Sequence, residues 1–198
     1  MTPTALLSRA LSGSAEPSLL PLPDEVAELL EVLGAPPRLA AHLRAVHDVA
    51  HQLVDWVERC HPAAAFDREA VLFGAATHDV GKTVHVSELS GPGSAHEEAG
   101  RDLLLGHGFS PERARFAANH ASWSDPGVGL EDLLVSLADK IWKDKRVPEL
   151  EDLVVARLAE ASGRAAWEEF LALDELLASI GDQADRRLAF QASFPILG

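Results

Sequence analysis

Apolar residues recur at helical spacing along most of the chain. The first such run starts at Asp24 and stops at Gly34. A longer run over about 38–59 follows Pro37 and ends before Pro62. Apolar positions three and four residues apart are typical of amphipathic helices, which proline can open and which glycine or proline can end. Further helices are predicted at about 67–77, 95–106, 110–119, 130–145, 149–161, 165–180 and 183–191.

Strand signals are nearly absent, since Thr83–Val86 is the one short piece in which apolar and polar positions alternate. Residues 1–23 carry prolines at positions 3, 17, 21 and 23 and are predicted to form an irregular arm. The sequence therefore predicts an all-α fold with a single compact domain over 24–198. Within that domain, the helices of 149–192 are expected to serve packing.

The composition narrows the set of partners. With 198 residues, of which 47% are hydrophobic, the chain can form one well-packed core. Its formal net charge of -14 disfavours a nucleic-acid polymer or an anionic membrane surface as a partner. Cys60 is the sole cysteine, so neither an intramolecular disulfide nor a Cys-x-x-Cys metal site can form. No run approaches the ~18–20 apolar residues of a membrane span, and we expect a cytoplasmic protein.

Nine histidines raise the question of metal binding, and three of them lie on the long helix. At about 100° per residue, His42 falls inside the apolar stripe, His47 about 140° away at its edge, and His51 about 180° away. A buried imidazole needs a partner for its ring nitrogens. A metal ion or a backbone carbonyl could serve as that partner for His42.

The segment Phe73–Lys82 contains an adjacent histidine and aspartate, His78 and Asp79, followed by Gly81. Neighbouring residues of a regular helix point about 100° apart, so both side chains can reach one ion only where the helix ends or bends. The glycine makes such an end expected here. Imidazole and carboxylate together suit Fe, Mn, Zn and similar divalent ions.

Three further residues are candidates: His96 at a helix start, His120 at a helix end, and Asp139 within a later helix. Asp139 lies about 180° from the apolar stripe of its own helix. Amphipathicity alone therefore predicts that Asp139 is solvated. It can act as a ligand only if that helix is covered on both sides.

The order His, His-Asp, His, His, Asp over about 38–146 resembles the HD-domain superfamily of metal-dependent phosphohydrolases. In that family valine, alanine and leucine follow the first histidine at set intervals; His42 fits this register better than His47, which stays the alternative. The resemblance implies an HD-type helical domain with extra C-terminal helices. It also implies one or two divalent transition-metal ions, Fe, Mn or similar, with Zn, Co, Ni or Mg also open. The implied ligands are His42, His78, Asp79, His96, His120 and Asp139, with Asp79 bridging in two-metal members.

Shorter motifs resemble two branches of the superfamily. Ser94–Gly100 and Ala138–Trp142 are similar to segments of the HD-type diadenosine-tetraphosphate hydrolases. His78–Lys82 resembles the His-Asp-x-Gly-Lys motif of the cyclic-dinucleotide phosphodiesterases, whose Gly-Tyr-Pro signature this chain lacks. The nucleotide and diadenosine-tetraphosphate hydrolases are therefore the nearer match in pattern.

The expected activity is hydrolysis of a phosphoester or phosphoanhydride bond by hydroxide on the metal, since a bound cation lowers the pKa of water toward ~7. The substrate would be a nucleotide or another small phosphorylated metabolite. Asp79, Lys82 and His47 are the candidate catalytic residues; Lys82 would contact a phosphoryl oxygen and His47 would donate a proton to the leaving oxygen. Glu97 and Glu98 are assigned at most a hydrogen bond to a ligand histidine. The oligomeric state stays open, with a homodimer as one option.

Two other functions fit the same ligands. Some HD-type proteins are mixed-valent di-iron oxygenases that cleave C–C or C–P bonds. A third option is a non-catalytic, metal-bound binding module. The short interval between His120 and Asp139 resembles the hydrolases, because the oxygenases tend to have a longer insertion there. Hydrolysis is therefore the prediction, and the other two functions are its alternatives.

Overall fold

The computed structural model describes residues 2–196, so Met1 of the predicted arm and the last two residues of the predicted domain lie outside it. Over that range the chain forms ten α-helices, two short 3-10 helices (Val80–Thr83 and Val86–Leu89) and no strand, which confirms the all-α prediction. None of these helices combines the length and the apolar composition that a membrane crossing requires. The α-helices are α1 (Pro3–Ser12), α2 (Asp24–Val32), α3 (Pro37–Cys60), α4 (Arg68–Thr77), α5 (Ala95–Gly106), α6 (Pro111–Asn119), α7 (Leu130–Ile141), α8 (Pro148–Ser162), α9 (Ala166–Gly181) and α10 (Ala184–Ala192).

Helix ends fall where the local sequence supplies capping groups. The Asp67 carboxylate accepts a hydrogen bond from the Ala70 amide at the start of α4, and the Ser110 hydroxyl caps α6 in the same way. Proline occupies the first turn of α3, where its missing N–H costs no helix hydrogen bond. Gly163 ends α8 in the left-handed region, with a φ of 70°.

Helix α3 is the centre of the molecule. It packs against α1, α4, α7 and α10, and its apolar residues from Leu39 to Val57 are buried. Helix α4 packs on α3, α6 and α7, while α5 packs on α6 and on the first 3-10 helix. This packing brings the ends of α4, α6 and α7 and the start of α5 together beside α3.

The predicted irregular arm contains a helix, so the prediction was wrong for residues 3–12. Thr2 caps α1, and Leu7 and Leu11 of this helix are buried in the core, where α1 packs on α3. The prolines made this stretch look irregular. The contacts with α3 that stabilise the helix join distant parts of the chain, so they leave no local pattern in the sequence. The buried guanidinium of Arg44 on α3 donates hydrogen bonds to carbonyl oxygens of α1 and of the segment that follows it, those of Ala10, Gly13, Leu19 and Leu20.

The alternating segment Thr83–Val86 does not form a strand. Its ends belong to the two 3-10 helices, and the amide N–H groups of Val84 and His85 donate to the carbonyl oxygen of Gly81. Backbone polar groups must find hydrogen-bond partners, and within residues 2–196 no neighbouring strand offers them. The local turn supplies the partners instead.

The C-terminal helices add a second covering layer to α7, beyond α3 and α4. Helices α8 and α9 pack on each other and both contact α7, while α10 packs on α3. The buried Arg187 side chain of α10 donates a hydrogen bond to the carbonyl oxygen of Trp142, the residue that follows α7. Helix α7 is consequently covered on more sides than its amphipathic pattern suggests.

Candidate metal centre

Six histidine and aspartate side chains converge beside α3, and each residue is at most 8% exposed. Most of them lie at helix ends, where the backbone leaves the helical path and side chains of neighbouring segments can meet. They are His42 within α3, His78 and Asp79 directly after α4, His96 in the first turn of α5, His120 directly after α6, and Asp139 in the last turn of α7.

The adjacent pair His78 and Asp79 reaches one place because α4 ends just before it. His78 keeps helical dihedral angles, whereas Asp79 has a φ of -105° and a ψ of 11° and opens the first 3-10 helix. The change of backbone path removes the divergence of about 100° that a continued helix would impose. Gly81 lies within this 3-10 helix, where the chain passes close to α5.

The ligand atoms form two groups of three. In the first group, His42 Nε2 lies 3.3 Å from His78 Nε2 and 3.8 Å from Asp139 Oδ1, and the last two atoms are 3.4 Å apart. In the second group, Asp79 Oδ1 lies 3.0 Å from His96 Nε2 and 3.6 Å from His120 Nε2. Nitrogen and oxygen ligands bind transition metals at about 2.0–2.2 Å, which places two ligands of one ion roughly 3–4 Å apart.

The Asp79 carboxylate connects the two groups. Its Oδ1 belongs to the second group, while its Oδ2 lies 3.1 Å from His42 Nε2 and 3.6 Å from His78 Nε2 of the first. A single carboxylate therefore faces both candidate ion positions, one oxygen to each. This is the position of a bridging ligand.

Backbone carbonyls orient two of the imidazoles. His78 Nδ1 lies 2.9 Å from the Ala75 carbonyl oxygen, and His120 Nδ1 lies 3.0 Å from that of Ala117. Because a carbonyl oxygen only accepts, each Nδ1 carries the proton and each Nε2 keeps a free lone pair. Both Nε2 atoms belong to the groups described above, so the helix ends present the coordinating nitrogens.

Unpartnered buried atoms test whether the residues fit metal ions. Asp79 Oδ1 and His96 Nε2 are buried and form no hydrogen bond with each other or with any other described residue. Buried polar atoms normally have a partner, and a cation would supply one to both. The donor set of imidazoles and carboxylates without thiolates suits Fe, Mn, Zn and similar ions. The two groups therefore fit a binuclear centre.

Protonation states favour cation binding as well. Burial lowers the pKa of His42, and burial followed by the nearby His78 lowers the pKa of His120 to about 4. Burial by itself raises the pKa of Asp79 and Asp139. The neighbouring histidines, joined by Lys140 in the case of Asp139, together outweigh burial, and both carboxyl pKa values lie well below their ordinary value. At neutral pH these carboxylates are charged and these two imidazoles neutral, the forms that coordinate metals.

The HD domain family profile matches residues 26–142, more than half of the chain. The chain belongs to the HD domain family. Proteins with this domain are typically metal-dependent phosphohydrolases. No curated protein and no solved structure matches the chain. The family assignment therefore rests on the profile and on the buried clusters, and it selects no branch of the family.

Two lysines line the cavity over the HD ligands. Lys82 Nζ lies 2.6 Å from Asp79 Oδ2, and Lys140 Nζ lies 2.5 Å from Asp139 Oδ2. The cavity has a volume of about 520 Å³, and Lys143 also lines it. Three ammonium groups therefore border a site whose ligands include two buried carboxylates.

His47 lies away from this HD centre, which corrects its predicted catalytic role. It lines a separate cavity beside Phe73 and Arg113, and it does not line the cavity over the ligands. Burial, followed by the neighbouring His51, lowers the pKa of His47 to about 3, so it carries no acidic proton at neutral pH. It follows His42 by five positions on one helix, and that spacing turns its side chain about 140° away.

Asp139 is buried, although the amphipathic pattern of its helix predicts solvation. Helix α7 packs on α3 and α4 and is also covered by α8 and α9. Trp142, one turn later, is 3% exposed and its ring lies 4.9 Å from that of His42. The polar face of α7 therefore faces the HD ligands rather than solvent.

Glu88 is a functional candidate that the sequence pattern missed. Its Oε2 lies 2.5 Å from His96 Nδ1, and the amide N–H groups of Ala95 and His96 also donate to this carboxylate. Glu97 and Glu98, for which the sequence allowed at most such a bond, do not make it; Glu98 lies near Arg101 instead. The glycines of the loop after Glu88 were the one local hint in the sequence. In the structure Glu88 passes close to one of them, since a Cβ at Gly93 would lie 2.4 Å from Glu88 Oε1.

The carboxylate of Glu88 tunes a ligand histidine. Burial lowers the pKa of His96, but Asp79 and Glu88 raise it more, so its pKa lies above the ordinary value. Glu88→Gln is expected to weaken binding of the second ion by roughly 10- to 100-fold, because a neutral amide makes His96 a poorer electron donor. Calorimetric metal titration would measure this, with Glu98→Gln as the matched control. Equal affinities in the two variants would contradict the role.

His42 and His47 make a matched pair for metal content. His42→Ala is expected to lose the ion of the first group, whereas His47→Ala should keep both ions, because His42 is the one of these two histidines that has a ring nitrogen among the ligand atoms. Elemental analysis of the purified variants would show the difference. If His47→Ala lost more metal than His42→Ala, His47 would be the first ligand instead of His42.

Proposed function

We propose that this HD-domain protein hydrolyses a phosphoester or phosphoanhydride bond of a nucleotide or another small phosphorylated metabolite. The observation that carries the proposal is the pair of buried ligand groups joined by Asp79, with Lys82 and Lys140 on the same cavity. Divalent ions bound there would lower the pKa of coordinated water and neutralise charge on phosphoryl oxygens. The six ligand side chains would hold those ions.

The two lysines supply donors for the phosphate. An ammonium group has three N–H donors, and each lysine uses one on the Oδ2 atom of Asp79 or Asp139. The remaining donors are free for phosphoryl oxygens. Anchoring by the carboxylates keeps both ammonium groups beside the metal ligands, so little side-chain freedom is lost when the phosphate binds.

Local charge explains how an acidic protein could accept an anion. The net charge of -14 repels phosphate at long range, but that field is screened beyond about 8 Å at physiological ionic strength. Inside the cavity Lys82, Lys140 and Lys143 are the nearest cations. A phosphonate substrate of the di-iron oxygenase alternative would use the same donors, so it is the short interval between His120 and Asp139 that favours hydrolysis.

A substrate survey tests the proposal. Phosphate release from nucleotides and sugar phosphates is expected with Mn²⁺, and Lys82→Gln should lower kcat/KM on the order of 100-fold. Lys145→Gln is the matched control, because Lys145 is exposed and does not line the cavity. Oxygen uptake with Fe²⁺ and no phosphate release would instead support the oxygenase. Metal binding without either activity would support a binding module.

A further inference from the structure

Helix α10 lines the cavity over the metal ligands although it lies outside the HD match. The family profile ends at residue 142, whereas Leu188 and Gln191 of α10 lie in the wall of the cavity. These residues are three positions apart and so share one face of the helix. The HD core and this later helix therefore form one pocket.

A buried arginine fixes α10 in this position. Arg187 is 2% exposed and donates hydrogen bonds of 2.7 Å to the Trp142 carbonyl oxygen and 2.5 Å to that of Ile180. It forms no ion pair with any carboxylate of residues 2–196. A buried charge is costly unless it is well hydrogen-bonded, so this arrangement holds α10 tightly against the end of α7. Trp142 in turn contacts the ring of His42.

Further contacts tie α10 to the helix that carries His42. Arg38 of α3 donates hydrogen bonds to the carbonyl oxygens of Ala192 and Phe194. The ring of Phe190 is buried, with the Arg44 guanidinium 5.7 Å from its centroid. Helix α10 is thus anchored at both ends of its pocket face.

The pocket has room for more than a phosphate. Its volume of about 520 Å³ lies within the ~300–1,000 Å³ typical of sites for whole small molecules. The metal ligands and lysines supply charge, whereas α10 supplies an apolar side chain, Leu188, and a neutral amide, Gln191. The Gln191 amide makes no hydrogen bond to another side chain or to the backbone of residues 2–196, so its donors and acceptor are available to a ligand.

We infer that Gln191 is a specificity-determining residue of the proposed phosphohydrolase, to which this inference is tied. Its amide hydrogen-bonds an uncharged polar group in the organic part of the phosphorylated substrate. Leu188 packs against the same part. A neutral amide both donates and accepts, which suits a nucleobase edge or a sugar hydroxyl and adds no charge to the phosphate end.

The test compares three phosphorylated probes on the Mn²⁺-loaded protein. AMP carries a base and a sugar, ribose 5-phosphate carries the sugar alone, and p-nitrophenyl phosphate carries neither. Gln191→Ala is expected to raise KM by about 3- to 10-fold for AMP, with kcat and the KM for p-nitrophenyl phosphate within about twofold. A similar rise in the KM for ribose 5-phosphate would assign the Gln191 contact to the sugar. An unchanged KM for ribose 5-phosphate would assign the contact to the base. Gln183→Ala, on an exposed position of the same segment, is the control.

The outcomes separate this inference from the proposed function. Equal changes for all three probes, or no change for any, would overturn the role of Gln191 while leaving phosphohydrolysis in place. AMP binding by calorimetry that weakens in Gln191→Ala, without any turnover, would keep the role of Gln191 and overturn hydrolysis. A metal-loaded protein that neither binds nor hydrolyses any probe overturns both.

Discussion

Asp79→Asn is expected to remove the metal ions and to lower phosphatase activity by roughly 1,000-fold or more, since the bound ions provide several kcal/mol of transition-state stabilisation. Asp79 is the only one of the six residues with an oxygen toward each group, 3.1 Å from His42 Nε2 and 3.0 Å from His96 Nε2. Asparagine has the same size but lacks the negative charge that two adjacent cations require. Elemental analysis and phosphate release would measure the loss.

A control separates this effect from a general loss of acidic charge. Asp102→Asn changes the net charge by the same amount, and Asp102 is an exposed residue of α5. It is expected to keep both ions and full activity. Circular dichroism of the metal-free Asp79→Asn protein would verify the helical fold. Retention of two ions in that variant would contradict the bridging position of Asp79.

Gly81→Ala is expected to lower the free energy of unfolding by roughly 3 kcal/mol or more, as overpacking against rigid atoms does. A Cβ at this position would lie 1.9 Å from the His96 carbonyl oxygen and 2.6 Å from the Gly100 amide nitrogen. Both are backbone atoms, so no side-chain rotation relieves the clash. The first 3-10 helix and α5 must separate, which also moves His96 away from Asp79 and weakens the second ion position.

Gly106→Ala is the matched substitution in the same region. Gly106 is the last residue of α5. A Cβ at this position would have no neighbour within 4 Å apart from the adjacent residues and the backbone of its own helix. Alanine at a compatible position is expected to stabilise by about 0.5–1 kcal/mol, because it reduces the conformational freedom of the unfolded chain. Urea unfolding of the metal-free proteins would compare the two. Similar unfolding free energies for both variants would contradict the close approach at Gly81.

Local chemistry was enough to find most of the candidate site. The His78-Asp79 pair followed by Gly81 predicts a helix end at which two ligands can share an ion, and the structure has α4 ending there. The spacing from His42 to His47 predicts side chains about 140° apart on one helix. The structure accordingly places only His42 among the ligands. These predictions succeeded because they depend on residues close together in the chain.

Contacts between distant segments decided what those patterns missed. Asp139 looks solvated in its own helix, but covering helices on both sides bury it. Glu88 reaches His96 across a loop and passes close to Gly93. The motif around His78 and Asp79 was enough to predict that Lys82 lies at the site. The position of Lys140 beside the ligands depends on the burial of Asp139, which the sequence pattern did not predict.

The amino-acid sequence by itself determined the helical architecture and the set of candidate metal ligands, because helical periodicity and ligand chemistry are properties of residue types and short spacings. Only the tertiary structure decided that these side chains form two groups around Asp79, that α1 is a helix, and that α10 lines the pocket. The physical reason is that burial and ligand geometry depend on which helices pack together. Those contacts join positions far apart in the chain, such as Arg187 and Trp142, and no local pattern records them.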